Sequence, residues 1–174
     1  MWSSERKTGR QDWRLAVIAL ALPLCGCFAP MYGEAFHPGL ADEMRAIAIA
    51  PIKDRIGHYL GDDLAADLNG TGETPEPKYR LTVAVTVGIA SPTVTSQLQV
   101  ANAATETGTA TFTLTPAGGG TALFTGVAAA TAVYDRTEDR FANLRAQRDA
   151  EIRMAKSLSQ EIGLRVAAYL GGPK

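Results

Sequence analysis

Between Leu81 and Val133 the chain runs for 53 residues without a lysine, arginine or aspartate, and Glu106 is its only acid. Thirteen of those residues are threonine and twelve are alanine. A solvated antiparallel sheet commonly carries lysine and glutamate on its wet face and edges, so this lack of charge is the sharpest clue in the chain. The stretch reads as strands. Tyr79 to Ala90 alternates strictly, with Tyr79, Leu81, Val83, Val85, Val87 and Ile89 on one face and Arg80, Thr82, Ala84, Thr86 and Gly88 on the other. Thr107 to Thr115 sets five threonines against Ala110, Phe112 and Leu114. After the turn at Gly118-Gly119-Gly120, Ala122 to Tyr134 reads as a further strand. Ser91-Pro92 interrupts the first of these, alternation partly resumes over Val94 to Val100, and Ala101 to Ala104 is the expected hairpin tip.

Helical spacing flanks this block. Asp54 is a suitable N-cap for Arg55 to Asn69, where Ile56, Tyr59, Leu60, Leu64 and Leu68 make one apolar stripe. From Thr137 the period changes again, and Phe141, Leu144, Ile152, Ala155, Leu158, Ile162, Val166 and Tyr169 mark a helix of close to 30 residues, ~45 Å long at 1.5 Å per residue. That length should overhang the sheet. Arg45 to Ile52 supplies a short strand ended by Pro51. The expected architecture is α+β: a four-stranded mixed sheet in the order β-α-β-β-β-α, with two helices packed on one face. The single domain is expected over residues 45–170.

The N-terminus follows a different logic. Arg6, Lys7, Arg10 and Arg14 precede an apolar run of ten, Leu15 to Leu24, too short to span a bilayer, which takes ~20 residues. Leu24-Cys25-Gly26-Cys27 then has the lipoprotein pattern of a branched apolar residue, two small residues and the acceptor cysteine. Residues 1–26 are therefore expected to be a lipoprotein signal peptide, and Cys27 the lipidated residue. Cleaved secretion without acylation, or a buried cysteine in a short N-terminal helix, is the alternative. Several acyl chains together give a stable membrane anchor, where one gives only marginal binding. Residues 27–44 read as an extended tether, since Phe28 to Leu40 holds two prolines and two glycines without periodicity. Phe28 after the acylated cysteine fits onward transport to an outer membrane.

Chemistry is conspicuously sparse. The formal net charge is −1, with no basic block of the kind that binds nucleic acid. Two histidines, His37 and His58, cannot build a transition-metal site, and no metal or other cofactor is expected. Asp62 and Asp63 are helix neighbours about 100° apart, so their carboxylates do not converge as an acid/base pair. Gly118-Gly119-Gly120 lacks the lysine and the following helix of a phosphate loop. An enzyme is not expected. The uncharged Thr/Ala face admits two readings: it is enclosed by another protein, being cheap to desolvate, or it is a threonine-rich sheet of an exported chain facing water.

The order of short motifs resembles the LPS-assembly lipoproteins of Gram-negative outer membranes (LptE), in particular their shorter type. The matching segments are Cys27-Phe28-Ala29-Pro30-Met31-Tyr32-Gly33, Ile49-Ala50-Pro51-Ile52-Lys53-Asp54-Arg55-Ile56-Gly57, Tyr79-Arg80-Leu81, Val133-Tyr134-Asp135 and Asp149-Ala150-Glu151. They span nearly all of the chain beyond the signal. The resemblance implies a non-enzymatic lipoprotein that plugs an outer-membrane β-barrel, the LPS translocon (LptD), assists its assembly and contacts LPS. Thr107, Thr109, Thr111 and Thr113 would then face the barrel. Relatives place basic residues near the hairpin tip and on the first helix, where this chain has Ala101 to Ala104, Glu106 and Gly61-Asp62. Lys78, Arg80, Arg136 and Arg140 remain as LPS or partner contacts, against the reading that they are merely solvated. A periplasmic auxiliary lipoprotein of an ABC-type lipid transport pathway is the rival, and would need an apolar groove. A lipoprotein linking membrane to cell wall is a third reading, without any wall-binding motif to support it.

Overall fold

The computed structural model describes residues 38–70, 76–90 and 103–172. In chain order the elements are helix α1 (Leu40–Arg45), strand β1 (Ile47–Ile49), helix α2 (Asp54–Leu68), strands β2 (Tyr79–Ala90), β3 (Ala103–Pro116) and β4 (Phe124–Asp135), and helix α3 (Arg140–Leu170). The four strands form one mixed sheet in the order β1-β2-β3-β4. β1 runs parallel to β2, pairing Ile47 with Tyr79, and the other pairs are antiparallel. The expected α+β fold is the observed one, with a further short helix in front.

Alternation decides which face packs. On β3, Ala104, Glu106, Gly108, Ala110, Phe112 and Leu114 are buried, while Thr107, Thr109 and Thr111 are exposed and Thr113 is half-buried. The apolar face meets α2 through Ile56, Leu60, Leu64 and Leu68, and α3 through Met154, Ala155, Leu158, Ile162 and Val166. Each fully buried leucine or isoleucine here contributes about 1.5–3 kcal/mol relative to exposure. Phe112 stands at the centre, edge-on to Phe124 at 5.8 Å, and Phe124 stacks on Tyr169 at 4.9 Å. Gly126 makes room for it: a Cβ there would lie 2.5 Å from the Phe112 ring. At Gly57 a Cβ would come within 2.9 Å of the Ile52 backbone, so α2 can approach its incoming loop only through a glycine.

Three expectations need correction. The tether placed over residues 27–44 runs too far, because the compact unit begins at Gly39 and Leu40 and Met44 are buried on α1, one helical turn apart. Ala103 and Ala104 are not a hairpin tip but the start of β3, paired with Asp135 and Tyr134. Asp54 opens α2 itself, at a φ of 69°, in the left-handed region that aspartate tolerates better than most residues. The signal peptide, Cys27, the Tyr32 segment, the Ser91-Pro92 interruption and Val94 to Val100 lie outside the described residues.

The overhang of α3 is as its length requires. Its buried residues begin only at Ala150, and Phe141 and Leu144 are 78% and 54% exposed. α2 has 15 residues against the 31 of α3, and its first turn meets α3 at Glu151.

Candidate interaction face

The sheet face turned away from the helices is built by three strands in fixed register. Across it run the rows Thr82–Thr113–Thr125, Ala84–Thr111–Val127, Thr86–Thr109–Ala129, Gly88–Thr107–Thr131 and Ala90–Thr105–Val133. These five rows contain no charged side chain. Charge appears only at the two ends, as Arg80 beside Thr115 and as Asp135 beside Ala103. Val127 and Val133 are 49% and 51% exposed. Exposed antiparallel faces are ordinarily polar and charged. Here the surface combines hydroxyls, methyl groups and two uncovered valines. Desolvating threonine hydroxyls costs little when a partner returns their hydrogen bonds, and no buried charge is stranded.

The basic candidates do not converge. Lys78 and Arg80 stand at the start of β2, and Lys78 is tied by its backbone N–H to the Ala46 carbonyl at 2.8 Å. Arg136 and Arg140 follow β4 at the opposite end of the sheet, ~36 Å away at 3.3 Å per residue. They cannot grip one phosphate together with Lys78 and Arg80. Thr107, Thr109, Thr111 and Thr113, by contrast, are consecutive members of one outward stripe, the first three exposed and Thr113 half-buried.

A group missed by sequence reasoning sits on the other face. Glu106 is fully buried, and neither carboxylate oxygen has a hydrogen-bond partner. Burial raises the Glu106 pKa above the ordinary glutamate value, the Glu151 carboxylate adds to the rise, and Gln147 and Arg55 oppose it. Parity could have found it: Glu106 lies in step with Ala104, Ala110, Phe112 and Leu114, all core positions. Beside it, Arg55 grips Glu151 through both Nε (2.8 Å) and Nη2 (2.5 Å), which raises the Arg55 pKa further. This fork joins α2 to α3, and thereby joins two of the motif segments, Asp54-Arg55 and Asp149-Ala150-Glu151.

Where α2 begins, an open groove follows α3, lined by Arg55, Phe141, Leu144, Arg145, Arg148 and Ile152 among others. Among the described residues no three histidine, cysteine, aspartate or glutamate side chains cluster as a metal site. No helix among them is long and apolar enough to cross a membrane.

No protein-family model matches the chain. No curated protein sequence gives a significant match. Solved structures do. A candidate lipoprotein from Caulobacter crescentus superposes with a TM-score of 0.64 at 22% identity, covering 81% of this chain and 100% of that one. A minor lipoprotein from Acinetobacter baumannii gives 0.52 at 13% identity, over 70% of this chain and 90% of that one. At such identities the likeness is one of fold: this layering of a mixed sheet under two long helices is found in bacterial lipoproteins.

Proposed function

We propose that the chain is an outer-membrane lipoprotein, anchored through Cys27 on the periplasmic side, that plugs an LPS-translocating β-barrel and assists its assembly. The observation that carries this reading is the outer sheet face: five rows of outward-facing residues without one charge. A wide barrel has a polar lumen, and a hydroxyl-rich plug packs there without burying unpaired ions. The shared fold with lipoproteins and the lipobox ending at Cys27 support the anchor. The role is non-enzymatic, with contact to LPS secondary and divided between the two separated basic ends.

The test is charge insertion. Thr109→Lys and Thr111→Lys should leave the chain folded while reducing co-purification with the barrel at least tenfold. Normal co-purification of both variants would refute the enclosed face. Separately, Cys27→Ser should abolish labelling by radioactive fatty acid, and persistent labelling would show another acylation site.

The groove beside α3 favours a second reading, an auxiliary lipoprotein of an ABC-type lipid transport pathway. Phe141, Leu144 and Ile152 offer apolar surface there and Arg145 and Arg148 offer charge. A lipid extracted stoichiometrically from the purified chain, and lost in Leu144→Asp, would favour it over the plug.

A further inference from the structure

We infer that the edge of β4, which no strand among the described residues covers, accepts an extended strand from a protein partner, which adds a fifth strand to the sheet. In an antiparallel ladder every second residue points both its N–H and its C=O at a given neighbour. The Ala117 N–H donates to the Lys78 carbonyl at 2.8 Å, so even-numbered residues of β2 and odd-numbered residues of β3 face one another. Even-numbered residues of β3 then face β4, and in the register Gly108–Ala130 and Ala110–Ala128 they meet even-numbered residues of β4. Thr125, Val127, Ala129, Thr131 and Val133 are left directing their backbone groups away from the sheet. An independent contact marks the same parity: Arg153 Nη2 reaches from α3 to donate to the Val133 carbonyl at 3.0 Å, from outside the ladder.

Sheet edges are normally defended by charge, proline, a bulge or short length. From Phe124 to Tyr134 β4 has no charged residue and no proline, and its register with β3 is continuous. The opposite edge strand, β1, has only three residues. No other strand among the described residues pairs with β4. Arg153 occupies the Val133 carbonyl, so the open stretch is Thr125 to Thr131, room for a partner strand of about seven residues, ~23 Å long. The side chains of its outward-pointing residues all belong to the uncharged face. A strand added there would extend that face, and its own side chains beside Val127 and Ala129 would be uncharged.

The area settles the occupant. A seven-residue strand pair covers far less than the roughly 1,200 Å² that a stable dimer needs. A second copy joined by this edge alone would not hold. A strand supplied by the partner that also covers the adjoining face adds to a larger contact, by strand addition to an open edge. The inference thus rests on the enclosed face proposed above, and names how that partner engages it.

The experiment compares amide hydrogen exchange in the full chain, free and in its co-purified complex with the barrel. The amides of Val127, Ala129 and Thr131 should slow at least tenfold in the complex, while those of Ala128 and Ala130, already paired to β3, change little. Ala129→Pro removes only an outward donor and should reduce complex recovery at least tenfold. Should that variant misfold, the exchange measurement on the unaltered chain decides alone. Equal exchange at the outward amides in both states would overturn the strand addition. It would leave the plug reading intact if Thr109→Lys still abolished the complex. Slowing of the same amides in the free chain with rising concentration would also overturn it, by identifying a second copy as the occupant. Failure to recover any barrel would overturn both readings together.

Discussion

The two faces of the sheet are made by the same strands in the same register, and alternate residues of β3 show how differently they are used. Phe112 is fully buried beneath two helices, and Thr111 beside it is exposed. The inner face is closely filled: a Cβ at Gly126 would strike the Phe112 ring, and the helix α2 that covers the face meets its incoming loop through Gly57. The outer face is chemically bland and spatially open, and its constraint is the exclusion of charge. Folding accounts for the first face, Glu106 apart. It does not explain the second, since a solvated sheet loses nothing by carrying lysine and glutamate. That difference is why the function proposed above is placed on the side that stability leaves undetermined.

Substitutions that contrast the two faces should separate cleanly. The largest effect is expected at Phe112→Ala, which should cost about 3–5 kcal/mol in urea unfolding. The neighbouring Thr111→Ala should stay within about 0.5 kcal/mol, and comparable losses at both positions would break the contrast. Gly126→Ala follows, costing about 1–3 kcal/mol because the Cβ must displace the Phe112 ring. An unchanged thermal midpoint would show that the ring has room to move.

Glu106→Gln sharpens the inner face in the opposite direction. The folded chain holds Glu106 protonated to higher pH than the unfolded chain, whose glutamate titrates near 4.5. Stability from this group is complete below that value and declines as pH rises through the raised pKa of the folded state. The glutamine variant should be more stable at pH 8 than the parent by about 1–3 kcal/mol, with the gain shrinking towards pH 4. A pH-independent difference would mean that the carboxyl is paired or wetted in solution. The smallest effect is expected for Thr109→Lys, within about 0.5 kcal/mol of the parent in the isolated chain, despite its expected effect on partner binding.

Much of this contrast is legible from residues alone. Threonine at every second position of β3 announces two unlike faces, and leucines at Leu60, Leu64 and Leu68 announce the helix that covers one of them. The overhang of α3 follows from counting its turns. Other features carry too weak a local signal. α1 is a single turn whose only mark is Leu40 four residues before Met44, embedded after a Pro/Gly-rich stretch. Ala103 and Ala104 resemble a turn because alanine favours neither strand nor bend, and only pairing with Asp135 and Tyr134 assigns them to β3. Glu106 was obscured by its charge: a glutamate next to an expected turn reads as solvent-exposed, although its parity points inward. The candidate face is visible as composition, but its rows depend on register, which arises between strands far apart in the chain. The Arg55–Glu151 fork is of the same kind, joining residues 96 positions apart.

The open margin of β4 also bears on how much of this chain a cell can hold. Under the strand addition proposed above, a copy without its partner would display a border guarded by charge at Val133, where Arg153 sits, and bare from Thr125 to Thr131. On that reading, supply in excess of the partner favours clumping or digestion over a standing reserve. Matched synthesis of the two, or prompt disposal of the surplus, would be the cellular counterpart of leaving that border bare.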